Sequence, residues 1–190
     1  SQAGFGLNDI EIRFNALQTI VGPTTLNSDA DYTALEALSP DPSPTVDAFC
    51  VDAIPFCGEA LENIVGCANR PGHELWLASG FVDTNQNGVG ATDFAHELGH
   101  NLNLVHITGT NTNLMNPVLG STVLTAAQIT TILASALVQT DDAGQNYILI
   151  TPIQVVPLPP AAALFLSGLM ALGGCTTRRL RQGMAASAIG

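Results

Sequence analysis

The run from His96 to His106 constrains this chain more than any other stretch. It reads His-Glu-Leu-Gly-His-Asn-Leu-Asn-Leu-Val-His. His96 and His100 are four residues apart, so on a helix they project from one face, about 40° apart around the axis. Two imidazoles so placed can bind one cation, and zinc suits such a pair with a Glu beside it. Glu97 adjoins the first imidazole and is placed to act as a general base. His106 follows six residues after His100, and a straight helix would carry it away from the ion. The chain must therefore turn back after Leu102 if the third imidazole is to join. Asn103 stands where that reversal is needed, and Asn is the non-glycine residue that most readily accepts a left-handed conformation. Three of the chain's four histidines fall in this run, which weighs against three unrelated structural histidines.

The pattern H-E-x-x-H-x-x-N-x-x-H resembles the extended zinc motif of the metzincin metallopeptidases, with Asn103 in place of their Gly. A second stretch adds to the resemblance. Metzincins carry a tight turn with a methionine beneath the zinc histidines, and the matrixin branch has Met-x-Pro soon after the third histidine. Met115-Asn116-Pro117 looks like that turn. The resemblance implies one Zn²⁺ held by His96, His100 and His106, with the fourth position left for water and Glu97 as catalytic base. Met115 and Pro117 would form a structural turn, an apolar floor rather than a ligand. Pro117 stands where astacins and serralysins place a tyrosine ligand, so none is expected. Asn116 and the residues up to Ser121 would border the substrate side-chain pocket. The implied protein is a secreted or surface zinc endopeptidase acting on a peptide or protein substrate. The alternative is a non-catalytic exported protein that binds surfaces or matrix on a metzincin-like fold. The retained Glu97 favours the enzyme, because a binding module needs no base beside its metal. The same chemistry also permits a non-peptide substrate.

The expected fold class is α+β: a small twisted mixed sheet packed on an active-site helix and a C-terminal helix, with a separate apolar helix at the end of the chain. Ile10 to Phe14 alternate apolar and polar residues, the mark of a strand with one buried face. Residues 29–38 suit a short helix capped by Ser28 or Asp29. Prolines 40, 42 and 44 then force an extended loop. Residues 74–78 read as a strand. In metzincins the strand shortly before the active helix is an exposed edge that pairs with substrate, which would put Trp76 on that edge. His73 reads as a strand-end residue rather than a ligand. The motif helix is expected to start near Thr92 or Asp93, with Phe94, Leu98 and Leu102 facing the core. Asp83, Asn85 and Asn87 begin a calcium-loop pattern, D-x-N-x-N-G. Phe94 occupies the twelfth place, where a bidentate Glu is needed, so the stretch reads as either a Ca²⁺ site or an Asn/Gly-rich turn. Thr125-Ala126-Ala127-Gln128 is a capping box, with Ile129, Ile132, Leu133 and Leu137 following at helical spacing.

Charge divides the chain. All sixteen acidic residues lie at or before Asp142, against Arg13 and Arg70 alone, a balance of −14 that Arg178, Arg179 and Arg181 reduce to −11. There is no Lys. So acidic a body excludes nucleic acid as a partner and suits an exported soluble domain. In an oxidising compartment, one pair among Cys50, Cys57 and Cys67 would form a disulfide and leave one thiol over. The expected organisation is a catalytic domain in residues 1–142, an uncharged linker in 143–157, an apolar segment with its Arg cluster in 158–181, and a tail in 182–190. Residues 158–177 would reach about 30 Å as a helix. The order Val156-Pro157-Leu158-Pro159, apolar run, Arg cluster resembles a PEP-CTERM sorting signal, with Leu158 replacing the usual Glu. That resemblance implies an exosortase-type processing enzyme as partner. It also implies transient anchoring in the inner membrane before release to the cell surface or medium.

Overall fold

The computed structural model describes residues 10–60, 64–78, 89–109 and 112–159. The molecule is of mixed α+β type: seven strands form one mixed sheet, with helices on both faces. In chain order these are β1 (Ile10–Phe14), β2 (Gln18–Val21), α1 (Asp29–Glu36), β3 (Val46–Val51), β4 (Gly66–Ala68), β5 (Glu74–Ala78), α2 (Val89–Asn101), α3 (Ala126–Leu133), β6 (Gln139–Thr140) and β7 (Asn146–Val156). The sheet runs β1-β7-β3-β5-β4, with β2 and β6 also paired to β7. β7 is parallel to β1, β2 and β3, and β3 is parallel to β5. β4 closes one edge antiparallel to β5, with Cys67 opposite Trp76.

Alternation along the strands builds two cores. Val46 and Ala48 of β3, Leu75 and Leu77 of β5, and Ile148 and Ile150 of β7 face α2, α3 and the segments between them. Phe49 and Val51, Trp76 and Ala78, and Ile153 and Val155 face the other way, toward Leu26, Leu35 and Tyr32 of the α1 side. Successive side chains of a strand point to opposite faces, so three strands buried on both sides can serve two layers at once.

Two expectations are overturned here. Residues 143–157 are not a linker, because β7 occupies most of them at the centre of the sheet and the compact unit extends to Val156. β7 carries no charge, and its buried positions pass from one face at Ile148 and Ile150 to the other at Thr151, Ile153 and Val155, which makes it read like an uncharged spacer. Pro152 sharpens the ambiguity, since proline removes a ladder donor. Its position explains the tolerance. The Ile150 carbonyl accepts from Asn15 on the β1 side, so residue 152, two along, faces that side too. There β7 pairs with β1 only up to Ile150 and with β2 only from Ile153, so Pro152 lies at the break between two short strands. The second correction concerns the edge. β5 is interior, flanked by β3 and β4, and Trp76 is 1% exposed in the aromatic core. Among the described residues the edge on this side of the sheet belongs to β4.

Of the two caps left open for α1, Ser28 is the one used, its N–H donating to Asp31 Oδ2 at 3.0 Å, and Thr125 caps α3 in the capping box that its spacing predicts. Among the three cysteines left open, Cys57 and Cys67 form the disulfide and Cys50 is free. His73 lies just before β5, with Nε2 3.1 Å from the Glu74 carboxylate. Asp83, Asn85 and Asn87 lie outside the described residues, as does the apolar segment from residue 160 onward. Among the described residues no helix is long and apolar enough to cross a membrane.

Candidate metal centre

α2 delivers the first two histidines and its ending delivers the third. The helix begins at Val89, so Thr92 and Asp93 lie inside it rather than capping it. Its C-terminus closes with two bonds, Asn103 N–H to the His100 carbonyl (2.8 Å) and Leu104 N–H to the Gly99 carbonyl (2.9 Å). This is a Schellman ending, and Asn103 takes the left-handed conformation it requires, with φ 68°. The chain then doubles back. Ile107 N–H bonds to the Met115 carbonyl at 2.9 Å, so the strand of chain carrying His106 is tied to the turn carrying the methionine.

The three imidazoles converge. His106 Nε2 lies 3.1 Å from His96 Nε2 and 3.1 Å from His100 Nε2. The ring nitrogens that could serve as ligands all lie within 4.8 Å of one another, and the three residues could hold a metal ion. Two tautomers are fixed by the backbone. His96 Nδ1 is 2.8 Å from the Leu114 carbonyl and His100 Nδ1 is 2.9 Å from the Leu104 carbonyl. A carbonyl only accepts, so both Nδ1 atoms carry the proton and both Nε2 atoms present lone pairs. A proton on His106 Nε2 could satisfy one of those lone pairs, whereas a cation would satisfy all three, so the donor set fits a metal. Burial pulls all three histidines toward the neutral, ligating form. His100 is lowered to about 4, chiefly by burial, with His96, His106 and Arg70 adding and the Leu104 carbonyl opposing.

Glu97 is buried beside this cluster, and burial first, then the neighbouring Asp93, pushes its carboxyl well above the usual range. Asp93 lies one helical turn earlier on the same face and is 2% exposed. Burial raises it to about 7, and its Oδ2 has no hydrogen-bond partner among the described residues. Gly66 of β4 makes room for both. A Cβ there would stand 2.7 Å from Glu97 Oε1 and 2.9 Å from Asp93 Oδ1. The three histidines, Glu97 and Asp93 line one cleft of about 740 Å³, whose rim includes Arg70, Pro117 and Leu119.

Met115 is fully buried and packs under α2, where a Cβ on Gly99 would meet its sulfur at 2.5 Å. The turn is held from below by a buried amide pair. Asn113 Nδ2 donates to Gln128 Oε1 (2.9 Å) and Gln128 Nε2 donates to Asn113 Oδ1 (3.0 Å), which also accepts from Met115 N–H (2.9 Å). Gln128 thus caps α3 and braces the turn whose Leu114 carbonyl orients His96.

Sequence reasoning names the three histidines, Glu97, Met115 and Pro117, and the fold brings all six to one place. It misses Gly66, Asp93, Arg70 and the bracing role of Gln128. Asp93 carries a usable signal in its helical spacing to Glu97, which is obscured by placing the helix start at that residue. Gly66 and Arg70 carry none, since their importance lies in what packs across from them. Comparison of the chain with protein-family models, with curated proteins and with solved structures finds no match.

Proposed function

We propose that this protein is a zinc-dependent endopeptidase of metzincin type, matrixin-like in its turn after the third histidine. One observation carries the reading: His106 Nε2 lies 3.1 Å from both His96 Nε2 and His100 Nε2, beside a buried glutamate. Ligand atoms 2.0–2.1 Å from one tetrahedral zinc stand about 3.3 Å apart, close to those two separations. His96, His100 and His106 would hold the ion. When bound, zinc supplies Lewis acidity, polarising a carbonyl oxygen and making a water acidic near neutral pH.

The remaining work falls to this chain's own groups. The Glu97 carboxylate orients the attacking water, takes its proton, and passes that proton to the leaving amine. Burial alone disfavours the ionised form of Glu97, and a divalent cation beside it opposes that tendency. The free edge of β4, next to the cleft, offers N–H and C=O groups to an extended peptide by strand addition. Met115 keeps the floor under the histidines dry and apolar. The metzincin-like fold belongs to the same proposal, supported by the antiparallel edge strand, the helix-then-reversal at Asn103 and the braced methionine turn. We also infer that residues 158–181 act as a PEP-CTERM-like sorting segment. An exosortase-type enzyme and the inner membrane would then be transient partners on the way to the cell surface or medium.

The test is metal analysis with casein and peptide-library hydrolysis on the protein and on Glu97→Gln. Retention of one zinc with a loss of about 10²–10⁴-fold in turnover is expected for Glu97→Gln. Unchanged hydrolysis by that variant would refute the mechanism. Bound zinc without hydrolysis by the parent protein would instead support the non-catalytic, matrix-binding alternative.

A further inference from the structure

We propose that Arg70 makes this site selective for peptides that carry a carboxylate a few residues from the scissile bond, an inference that rests on the peptidase reading above. Residues 1–142 hold two cationic side chains against sixteen carboxylates. Arg13 is consumed: it pairs with Glu11 at 2.7 Å and Asp141 at 2.6 Å and lies 4.2 Å over the Tyr147 ring. Arg70 is exposed and, among the described residues, has no carboxylate partner. It lies on the rim of the cleft that holds the three histidines and Glu97.

Its place in the chain matters as much as its charge. Arg70 comes two residues after the end of β4, the free edge along which an extended peptide would lie. Gly66, at the start of β4, stands over Glu97. A peptide centred on Glu97 would therefore pass Arg70 a few residues from its reacting bond, at about 3.3 Å per extended residue. A guanidinium presents a planar fork of donors matched to a carboxylate, the group this acidic protein otherwise repels. The carboxylate could be a Glu or Asp side chain or a free chain end, and the experiment separates these sources.

Four otherwise identical fluorogenic peptides serve as probes. One is neutral and amidated, two replace a Gln by Glu on the N-terminal or the C-terminal side, and one has a free C-terminus. The readout is the kcat/KM ratio of each acidic peptide to the neutral one within a given protein. The zinc-loaded protein should favour at least one acidic peptide by about three- to tenfold, the range for a charge-assisted contact at an exposed site. Arg70→Gln should bring that ratio near one, and Arg70→Glu should invert it. The responding peptide shows whether a side chain or a chain end is read, and on which side. Ratios equal in the parent and both variants would overturn the proposal. Equilibrium binding of the same peptides to the zinc-loaded Glu97→Gln protein, with and without Arg70→Gln, gives a readout free of turnover. Tighter acidic-peptide binding lost with Arg70 supports the proposal even where the parent hydrolyses nothing, an outcome that defeats the peptidase reading alone. Equal binding of acidic and neutral peptides overturns it.

Discussion

The two faces of the sheet are held together by different means. On the α1 side the core is aromatic and stacked. Tyr32 meets Trp76 edge-on with centroids 4.7 Å apart, and Phe49 stacks on the same indole at 5.9 Å. The Cys57–Cys67 disulfide adds a covalent tie on this side of the sheet. On the histidine side the core is aliphatic apart from Met115, and buried amides set its geometry. The Asn113–Gln128 pair holds the methionine turn, and Asn101 Nδ2 donates to the carbonyls of Asn69 (2.9 Å) and Glu74 (2.8 Å), fixing the end of α2 against the sheet. Apolar burial is strong but non-directional, whereas a buried amide held by directional hydrogen bonds fixes position. The stacked face should therefore supply stability and the histidine face placement.

Three substitutions can break or sharpen that contrast. The largest effect is expected for Trp76→Ala. Emptying so large a buried site costs about 3–5 kcal/mol, read from urea unfolding, while zinc affinity of the folded fraction stays within a few-fold. A large loss of zinc affinity with stability intact would reverse the assignment of the two faces.

Asp93→Asn comes next and acts through pH. Well below pH 3.8 the Asp93 carboxyl is protonated in both the folded and the unfolded chain. Between its ordinary value near 3.8 and its folded value of about 7, the unfolded chain ionises first, so the folded state binds more protons and stability falls as pH rises. At about 1.36 kcal/mol per pKa unit, the full gap is worth roughly 4 kcal/mol. In the metal-free protein, the stability of Asp93→Asn relative to the parent should be lowest well below pH 3.8 and rise to a plateau by pH 8. Parallel pH profiles for the two proteins would show that the Asp93 carboxyl is not desolvated on the histidine face.

Gln128→Ala should change stability least, by about 1–3 kcal/mol for an orphaned buried amide. It should nevertheless weaken zinc binding by about tenfold, because the support under His96 is lost. If competition titration finds zinc affinity unchanged, the amide pair is packing and not placement.

Much of this could be read along the chain because it depends on residues near one another in sequence. The i, i+4 histidines, the left-handed Asn103, the caps at Ser28 and Thr125, and the strand at Ile10–Phe14 all follow from local geometry, although of that strand's apolar face Ile10 is buried and Phe14 is exposed. β7 was illegible for the opposite reason. Its buried positions change face partway along, which breaks the simple alternation that marks strands, and its Pro152 is acceptable only because β1 and β2 leave a break beside it. The edge was misplaced for a related reason, since it depends on β4, three residues long, pairing beyond β5.

The sequence by itself determined which atoms can bind a cation, and that the chain must reverse direction before the third of them. Helical periodicity and the φ > 0 tolerance of Asn103 are properties of a dozen consecutive residues. Only the tertiary structure decided that Gly66 leaves space for two carboxyl groups, that Gln128 braces the methionine turn, and that Arg70 stands at the cleft without a carboxylate partner among the described residues. Each of these depends on what a distant segment places within a few ångströms, and one-dimensional spacing carries no record of that.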